Sequence, residues 1–219
     1  MRIAIAVFVK TPGLSPIKTR LAKTIGADQA ENLYLRSALT TATTIEKSIE
    51  DLGLDGAIVT PFWAVAEENG FEYWQTKRNW QTVLQKGDDL GARLASVYTD
   101  LKAKYDVVCL YGADAPHVSS EILSSGLRKF MVKRPPAVVI GPSEDGGFYF
   151  FGARVEIARE TWTAVRYSTD FTLRELKAAL TIGRVRGTIV EIEKTFDIDT
   201  GEDFSRLEHE YPKWNKSDL

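Results

Sequence analysis

The chain has 219 residues, of which 44% are hydrophobic and 26% charged, with a formal net charge of −2 and an isoelectric point near 5.8. This is the composition of an ordinary globular domain, and the lack of a basic excess argues against a general nucleic-acid-binding protein. A single cysteine, Cys109, excludes a disulfide framework within one chain and fits a reducing, cytoplasmic location. Because His117 and His209 are the only histidines, a histidine-rich zinc site is excluded, and any metal ion must be held by oxygen.

Apolar runs and helical spacings of apolar residues predict a chain in which strands alternate with helices. In chain order we predict a strand at 3–9, a loop at 10–17, helices at 19–25 and 27–53, a strand at 56–60, a proline-led helix at 61–69, a strand at 71–74, a helix at 88–104, a strand at 106–111, a helix at 119–132, strands at 137–140 and 147–151, a helix at 171–180, a strand at 185–192 and a helix at 201–210. The first apolar run is too short to cross a membrane and lacks a signal-peptide cleavage pattern. We therefore expect one α/β domain over residues 1–219, with a mostly parallel central sheet, helices on both faces and no membrane span.

Four polar clusters fall where the predicted strands end. They comprise residues 10–20, 112–117, 141–147 and 197–203. Ligands of parallel α/β sheets bind just beyond the carboxyl ends of the strands. We therefore expect the four clusters at one edge of the sheet, with strands 3–9 and 106–111 as parallel neighbours.

The first cluster is a loop that leads into Lys18, Thr19 and Arg20 at the start of a predicted helix. Backbone N–H groups at a helix start and two cations suit the binding of phosphate. It is not a P-loop, because the Gly-Lys-Ser/Thr ending is absent. The alternative is a solvated basic loop. Removing either surface cation should leave the melting temperature nearly unchanged.

Two aspartates that follow different strands suggest a metal site made of oxygen ligands. Asp114 lies in a turn after a buried strand, and Asp199 ends the strand before the last helix. Carboxylates in such positions can hold Mg²⁺ or Mn²⁺ against phosphate oxygens, although Asp114 could equally be a simple turn residue. Thr200 is expected to cap the last helix. Capping does not explain why Asp197 and Asp199 occur together, so a metal role for Asp197 stays open.

The third cluster contains Asp145, Gly146 and Gly147, followed by four aromatic residues at 148–151. Adjacent glycines allow positive φ angles or the close approach of a ligand. A plain hairpin turn is the alternative, since Asp-Gly is a strong turn signal. Alternate aromatic residues should lie in the core, and one of the others could face a base or a sugar.

These motifs, in this order, resemble the GT-A-like nucleotide-diphospho-sugar transferase superfamily, and most closely its bacterial branch of radical-SAM/selenodomain-associated transferases. The segments that carry the resemblance are Lys18–Leu21, Gly87–Arg93, Gly112–Pro116, Gly141–Phe148 and Asp197–Asp203. Together they extend the resemblance over roughly residues 1–205. The departures concern the acceptor more than the fold: Ser15 replaces a usual glycine, Phe148 a usual tyrosine, and Tyr167 a common tryptophan.

The resemblance implies a transferase and a set of roles. It makes Lys18 and Arg20 the catalytic contacts to the phosphates, and Asp114 and Asp199 the ligands of Mg²⁺ or Mn²⁺. The residues that it implies for substrate binding are Lys10, Thr19, Arg93, Asp145, Gly146 and Gly147. The expected partners are a nucleotide or nucleotide-sugar and a small-molecule acceptor, and not a nucleic acid.

The resemblance leaves two reactions open. One is nucleotidyl transfer to a phosphorylated small molecule, and the other is glycosyl transfer from a nucleotide-sugar. Both need a metal ion and cations at the phosphates. The early Lys18-Thr19-Arg20 segment favours nucleotidyl transfer, because in such folds this loop precedes the α-phosphate site. A nucleotide-binding regulatory module without turnover is a third possibility, against which the intact Asp114 and Asp199 argue.

Overall fold

The structure is a computed structural model that describes residues 1–53 and 56–211. Its strands are β1 (Arg2–Val9), β2 (Ile58–Val65), β3 (Gln81–Leu84), β4 (Val107–Gly112), β5 (Val138–Pro142), β6 (Phe148–Ala153) and β7 (Ile189–Glu191). Its α-helices are α1 (Thr19–Ile25), α2 (Ala27–Gly53), α3 (Phe71–Lys77), α4 (Leu90–Lys102), α5 (Ser120–Arg128), α6 (Arg159–Thr163), α7 (Thr172–Ile182) and α8 (Gly201–Glu210). A short 3-10 turn, Glu68–Gly70, precedes α3. None of the helices described is long and apolar enough to cross a membrane.

The seven strands form one sheet in the order β3-β2-β1-β4-β6-β5-β7. Strand β6 is antiparallel to β4 and β5, and all other neighbours are parallel. Strands β1 and β4 are parallel neighbours, with Ile3 opposite Val107, as the sequence predicts. The prediction of a mostly parallel α/β sheet is therefore confirmed.

Alternate side chains of β1 enter two different hydrophobic layers. Ile3, Ile5 and Val7 are buried in the layer formed with α2, α3 and α5. Ala4 and Ala6 are buried in the layer formed with α4, α6 and α7. A strand covered on both faces reads as a continuous apolar run, which is why β1 was recognisable from the sequence.

Two predictions between residues 56 and 77 are wrong. The expected short strand at 56–60 overlaps β2, but β2 continues to Val65, so the expected helix at 61–69 is replaced by the rest of β2 and the 3-10 turn. The expected strand at 71–74 is the first turn of α3. In that helix Phe71 and Trp74, three positions apart, both pack into the core. Four residues are too few to separate the strand period of two from the helical period of 3.6 in the positions of apolar side chains.

Pro61 lies inside β2 because its position needs no amide hydrogen. Ile58 and Ala66 donate backbone N–H groups to the carbonyls of Met1 and Val9, at 3.0 and 2.9 Å. Successive backbone nitrogens of a strand point to opposite sides, so the nitrogen of Pro61 points away from β1. On that side β3 pairs with β2 only after residue 61. Proline is tolerated at such an edge position.

The other differences concern short elements. Strand β3 and helix α6, of four and five residues, were not predicted, and β7 covers only three residues in the second half of the strand expected at 185–192. Helices α1, α2 and α8 have the predicted bounds. The remaining elements lie within a few residues of their predicted positions.

Candidate functional site

The segments that follow β1 and β4, together with the one that precedes α8, meet at one edge of the sheet and form a cleft of about 530 Å³, which we call the main cleft. The start of α4 closes its other side. Charged side chains of both signs line it: Lys10, Lys18, Arg20, Asp88, Asp89, Arg93, Asp114 and Asp199. Four cations and four carboxylates therefore share one concave surface.

The loop after β1 is held in shape by Glu67. A turn closes between Thr11 and Leu14, whose N–H donates to the Thr11 carbonyl at 3.0 Å, and Gly13 supplies the positive φ of 77° that the turn needs. The Glu67 carboxylate accepts hydrogen bonds from the backbone N–H of Thr11, at 2.8 Å, and from the hydroxyl of Ser15. The serine that departs from the usual glycine thus anchors this loop.

Lys18 lies at the centre of the site. Its backbone is left-handed, with φ of 45°, at the residue before α1. Its Nζ lies 2.6 Å from Asp114 Oδ1 and donates to Asp199 Oδ1 at 2.8 Å. Arg20 donates from Nη2 to Asp199 Oδ2 at 2.7 Å. The two predicted metal carboxylates are therefore brought together, and an ammonium group joins them.

The two predicted cations differ in exposure. The Lys18 side chain is 8% exposed, whereas that of Arg20 is 69% exposed. Treating both as solvated surface charges is correct for Arg20 and wrong for Lys18. Removing a buried cation that pairs with two carboxylates should lower stability, because the carboxylates lose their counter-ion.

The protonation states follow from these contacts. Burial favours the neutral form of Lys18, but the carboxylates of Asp114 and Asp199 outweigh it and raise the lysine's pKa. Burial also opposes ionisation of Asp199, but the charges of Lys18 and Arg20 outweigh it and lower the pKa of that carboxyl. At neutral pH Lys18 and Asp199 are therefore charged in the folded protein.

Backbone contacts set the distance between the two aspartates. Ile198 donates its N–H to the carbonyl of Asp114 at 3.0 Å, which ties the segment before α8 to the end of β4. Thr200 caps α8 in a capping box with Asp203, as predicted for Thr200. The same Asp203 carboxylate accepts the N–H of Asp199 at 3.1 Å. Asp199 is thus placed by contacts on both sides of it.

Asp197 is half-buried and lies outside the lining of the main cleft. It accepts a hydrogen bond from Ser143 Oγ at 2.6 Å. Burial, supported by the charges of Asp114 and Asp145 and opposed by the Ser143 hydrogen bond, raises its pKa to about 7. Asp197 therefore connects its segment to the end of β5.

A second cavity of about 240 Å³, which we call the side pocket, adjoins the main cleft. The residues that line both are Phe8, Leu90, Asp114 and Ser168. Asp145 and Gly147 line the side pocket, and Asp145 Oδ1 accepts the N–H of Gly147 at 2.8 Å. The aspartate thus forms a turn and also faces a cavity.

The structure groups most of the predicted site residues. Those in the main cleft are Lys10, Lys18, Thr19, Arg20, Arg93, Asp114 and Asp199. Gly146 lines neither cavity. It has a φ of 85°, and a Cβ atom there would lie 2.2 Å from the carbonyl oxygen of Asp170. Gly146 is needed for close packing of the backbone against the segment before α7.

Sequence reasoning missed several lining residues of the main cleft. Asp89 caps α4 by accepting the N–H of Ala92 at 2.7 Å, and Asp88 precedes it. Gln85 donates from Nε2 to the carbonyl of Ala64 at 2.7 Å, and so closes the floor of the cleft. The Gly-Asp-Asp sequence at 87–89 was a usable signal for the aspartates. Nothing in the sequence pointed to Gln85.

Metal ligands can be tested against the side chains present. Within residues 1–53 and 56–211, no group of three or more His, Cys, Asp or Glu side chains is arranged to hold a metal ion. Asp114 and Asp199 provide two carboxylates that both contact Lys18 Nζ, at 2.6 and 2.8 Å. Mg²⁺ is commonly held by one or two carboxylates together with water and substrate phosphates. The two aspartates therefore suit a metal ion that arrives with phosphate, and not a site formed by the protein alone.

The protein has the fold of structures that are named as nucleotide-diphospho-sugar transferases. A crystal structure from Desulfovibrio desulfuricans G20, which carries that name provisionally, matches with a TM-score of 0.74 and 23% identity over 94% of this chain and 85% of that one. The chain itself belongs to a bacterial family described as an uncharacterized protein conserved in bacteria (DUF2064), whose model matches residues 52–169. No functionally curated protein matches the sequence.

Two further structures share the fold at low identity. The 4-diphosphocytidyl-2C-methyl-D-erythritol synthase of Anaerococcus prevotii DSM 20548 matches with a TM-score of 0.62 and 10% identity over 96% of each chain. Glucosyl-3-phosphoglycerate synthase of Mycobacterium tuberculosis, in complex with Mn²⁺, UDP and phosphoglyceric acid, matches with a TM-score of 0.52 and 10% identity over 94% of this chain and 72% of that one. The resemblance to the GT-A-like superfamily is confirmed at the level of the fold.

Proposed function

We propose that the protein is a metal-dependent transferase that holds the phosphates of a nucleotide or nucleotide-sugar in the main cleft. One observation carries the proposal: Asp114, which follows β4, and Asp199, which precedes α8, converge on Lys18 within a cleft that three further cations line. A polyphosphate needs this combination of fixed cations and carboxylates that can accept a metal ion. The single buried cysteine supports a cytoplasmic setting.

Each polar group has a definite task in this proposal. Arg20 is exposed and engages Asp199 through one nitrogen, so the rest of its guanidinium fork can bind phosphate oxygens. Arg93 lies across the cleft, with its Nε held by the carbonyl of Gly87 at 3.0 Å. Lys18 holds a compact positive charge between the two carboxylates at the centre of the cleft. Mg²⁺ or Mn²⁺ on Asp114 and Asp199 would neutralise the charge of the leaving phosphates.

The structural neighbours support a nucleotide ligand without fixing the reaction. One is named for a diphosphocytidyl product and another was solved with Mn²⁺ and UDP. The position of Lys18 and Arg20 at the start of α1, at the end of the loop that follows β1, supports nucleotidyl transfer to a phosphorylated small molecule, which is our first candidate. Glycosyl transfer is the second candidate, and the side pocket favours it, because a sugar attached to a diphosphate in the main cleft would reach that pocket at Asp114.

A binding screen tests the proposal. We expect nucleoside triphosphates or nucleotide-sugars, with Mn²⁺, to raise the melting temperature. A ligand at a hundred times its dissociation constant adds about 2.7 kcal/mol, which corresponds to roughly 5–10 °C for a chain of this length. The Asp114→Asn variant should lose the Mn²⁺ dependence. Full Mn²⁺-dependent binding by this variant would make Asp114 a simple turn residue.

Product analysis separates the candidates. Release of pyrophosphate from a nucleoside triphosphate indicates nucleotidyl transfer, and release of a nucleoside diphosphate from a nucleotide-sugar indicates glycosyl transfer. Tight nucleotide binding without any turnover, across a panel of sugar phosphates and hydroxyl acceptors, would instead support the regulatory module.

A further inference from the structure

The side pocket differs from the main cleft in charge. Its lining, all of which belongs to the described residues, contains no lysine, arginine or histidine. Its charged members are the carboxylates of Asp114 and Asp145. Much of the remaining wall is aromatic or aliphatic: Phe8, Leu90, Leu94, Leu110, Phe148 and Tyr167. By contrast, four cations line the main cleft.

This difference decides which part of a ligand each cavity can hold. An anionic group moved from water into the side pocket would lose hydration and meet the Asp145 carboxylate, for which the pocket lining provides no compensating cation. The charge of Asp114, the other carboxylate, is already paired with Lys18. An uncharged group bearing hydroxyls meets no such penalty. Its hydroxyls can donate to the Asp145 carboxylate, and its apolar face can pack on Phe148 and Tyr167.

We propose that the side pocket takes an uncharged, hydroxyl-bearing group, such as a neutral sugar ring, and that Asp145 makes it select against acidic groups. The inference rests on the proposed function, because it places the phosphates of the same ligand in the main cleft. It holds for either transfer reaction. A phosphorylated acceptor would keep its phosphate on the main-cleft side of Asp114 and its uncharged remainder in the side pocket.

Asp145 is suited to this role by its position. Its Oδ1 is engaged by the N–H of Gly147, which fixes the direction of the carboxylate, while the side chain remains exposed. The backbone around it is held by Gly146, whose carbonyl accepts the N–H of Leu173 at 2.8 Å. The carboxylate is therefore presented on a rigid turn at the rim of an apolar pocket, and it acts as a positioning and discriminating group.

Calorimetry with matched ligands tests the inference. Binding of UDP, CDP, ADP, GDP and dTDP is measured first with Mn²⁺, and the glucose and glucuronate esters of the tightest binder are then compared. These esters differ by one carboxylate on the sugar. We expect the glucose ester to bind at least about tenfold more tightly than the glucuronate ester, because like charges at short range repel. In Asp145→Asn the ratio should fall severalfold.

A control variant and the nucleoside diphosphates alone distinguish failure of the inference from failure of the proposed function. Asp88→Asn removes a carboxylate from the main cleft and should leave the glucose-to-glucuronate ratio as in the unmodified protein. Equal binding of the two esters, or an unchanged ratio in Asp145→Asn, would overturn the assignment of the side pocket while the proposed function stands. If none of the five nucleoside diphosphates binds, the proposed function fails and the inference falls with it.

Discussion

Replacing Lys18 with methionine tests the electrostatic core of the site. The substitution keeps most of the side-chain volume and removes the charge between Asp114 and Asp199. Breaking a fully buried ion pair from one side costs about 3–5 kcal/mol. Here the carboxylates are 40% and 31% exposed and Arg20 still contacts Asp199, so we expect a smaller loss. A loss of about 2 kcal/mol corresponds to a fall of roughly 4–8 °C in melting temperature.

The matched control is Arg20→Met. It removes a cation from the same carboxylate, but that cation is exposed, so the loss should stay below about 1 kcal/mol. Thermal denaturation of both variants is measured with and without Mn²⁺. Without Lys18 the oxygens of Asp114 and Asp199 can accept a metal ion in place of the ammonium. Mn²⁺ should therefore stabilise Lys18→Met more than it stabilises the unmodified protein.

The stability that Lys18→Met loses should depend on pH in a fixed direction. The pKa of Asp199 is lowered in the folded protein, so its stabilising contribution is complete above its unfolded pKa of about 4 and is lost as the pH falls through the folded value. The deficit of Lys18→Met should therefore shrink in acid. Equal melting temperatures for the Lys18 and Arg20 variants at pH 7, or equal stabilisation of all three proteins by Mn²⁺, would refute the reasoning.

Three further substitutions probe the surrounding residues. Arg20→Ala should weaken nucleotide binding severalfold or more, as measured by calorimetry, with little change in melting temperature. An unchanged affinity would mean that this loop is a solvated basic loop without a role in binding. The pKa of Asp197 is raised to about 7, so its ionisation destabilises the fold as the pH rises from about 4 to 7. In urea denaturation at pH 8 the Asp197→Asn variant should therefore be more stable than the unmodified protein by on the order of 1–2 kcal/mol. At pH 4 it should show no gain. In urea denaturation Gly146→Ala should lose about 2–3 kcal/mol of stability, because the added Cβ would contact Asp170. Gly13→Ala, which has open space at its Cβ, should lose about 1 kcal/mol. Similar losses in the two variants would contradict the packing argument.

The sequence predicts those elements whose hydrophobic pattern is long or whose residues are buried on both faces. Strands β1 and β4 read as apolar runs because both of their faces are covered, and α8 is bounded by a capping box. The continuation of β2 through Pro61 was not predictable, since the tolerance for that proline depends on where β3 begins to pair. That register is a tertiary property, and local propensity cannot express it.

The candidate site was predictable as a set of segments but not as a set of contacts. Polar clusters at strand ends must meet at one edge of a parallel sheet, which is why Lys18, Asp114 and Asp199 were chosen together. The ammonium that joins the two aspartates depends on contacts 181 residues apart in the chain. Lys18 is also buried and has a left-handed backbone, and the sequence around it requires neither.

The spacing of the aspartates before and within α8 has a physical basis in the structure. In the extended segment Phe196 and Ile198 are buried in a small hydrophobic cluster with α1, α2 and α8, so Asp197 and Asp199 point to the other side. Asp197 accepts from a serine at the end of β5, Asp199 faces the cleft, and Asp203 caps the helix while holding the N–H of Asp199. Two of the three carboxylates thus position the third. A substitution at Asp197 or Asp203 should therefore act on the cleft through the placement of Asp199, and not through a direct contact with a ligand.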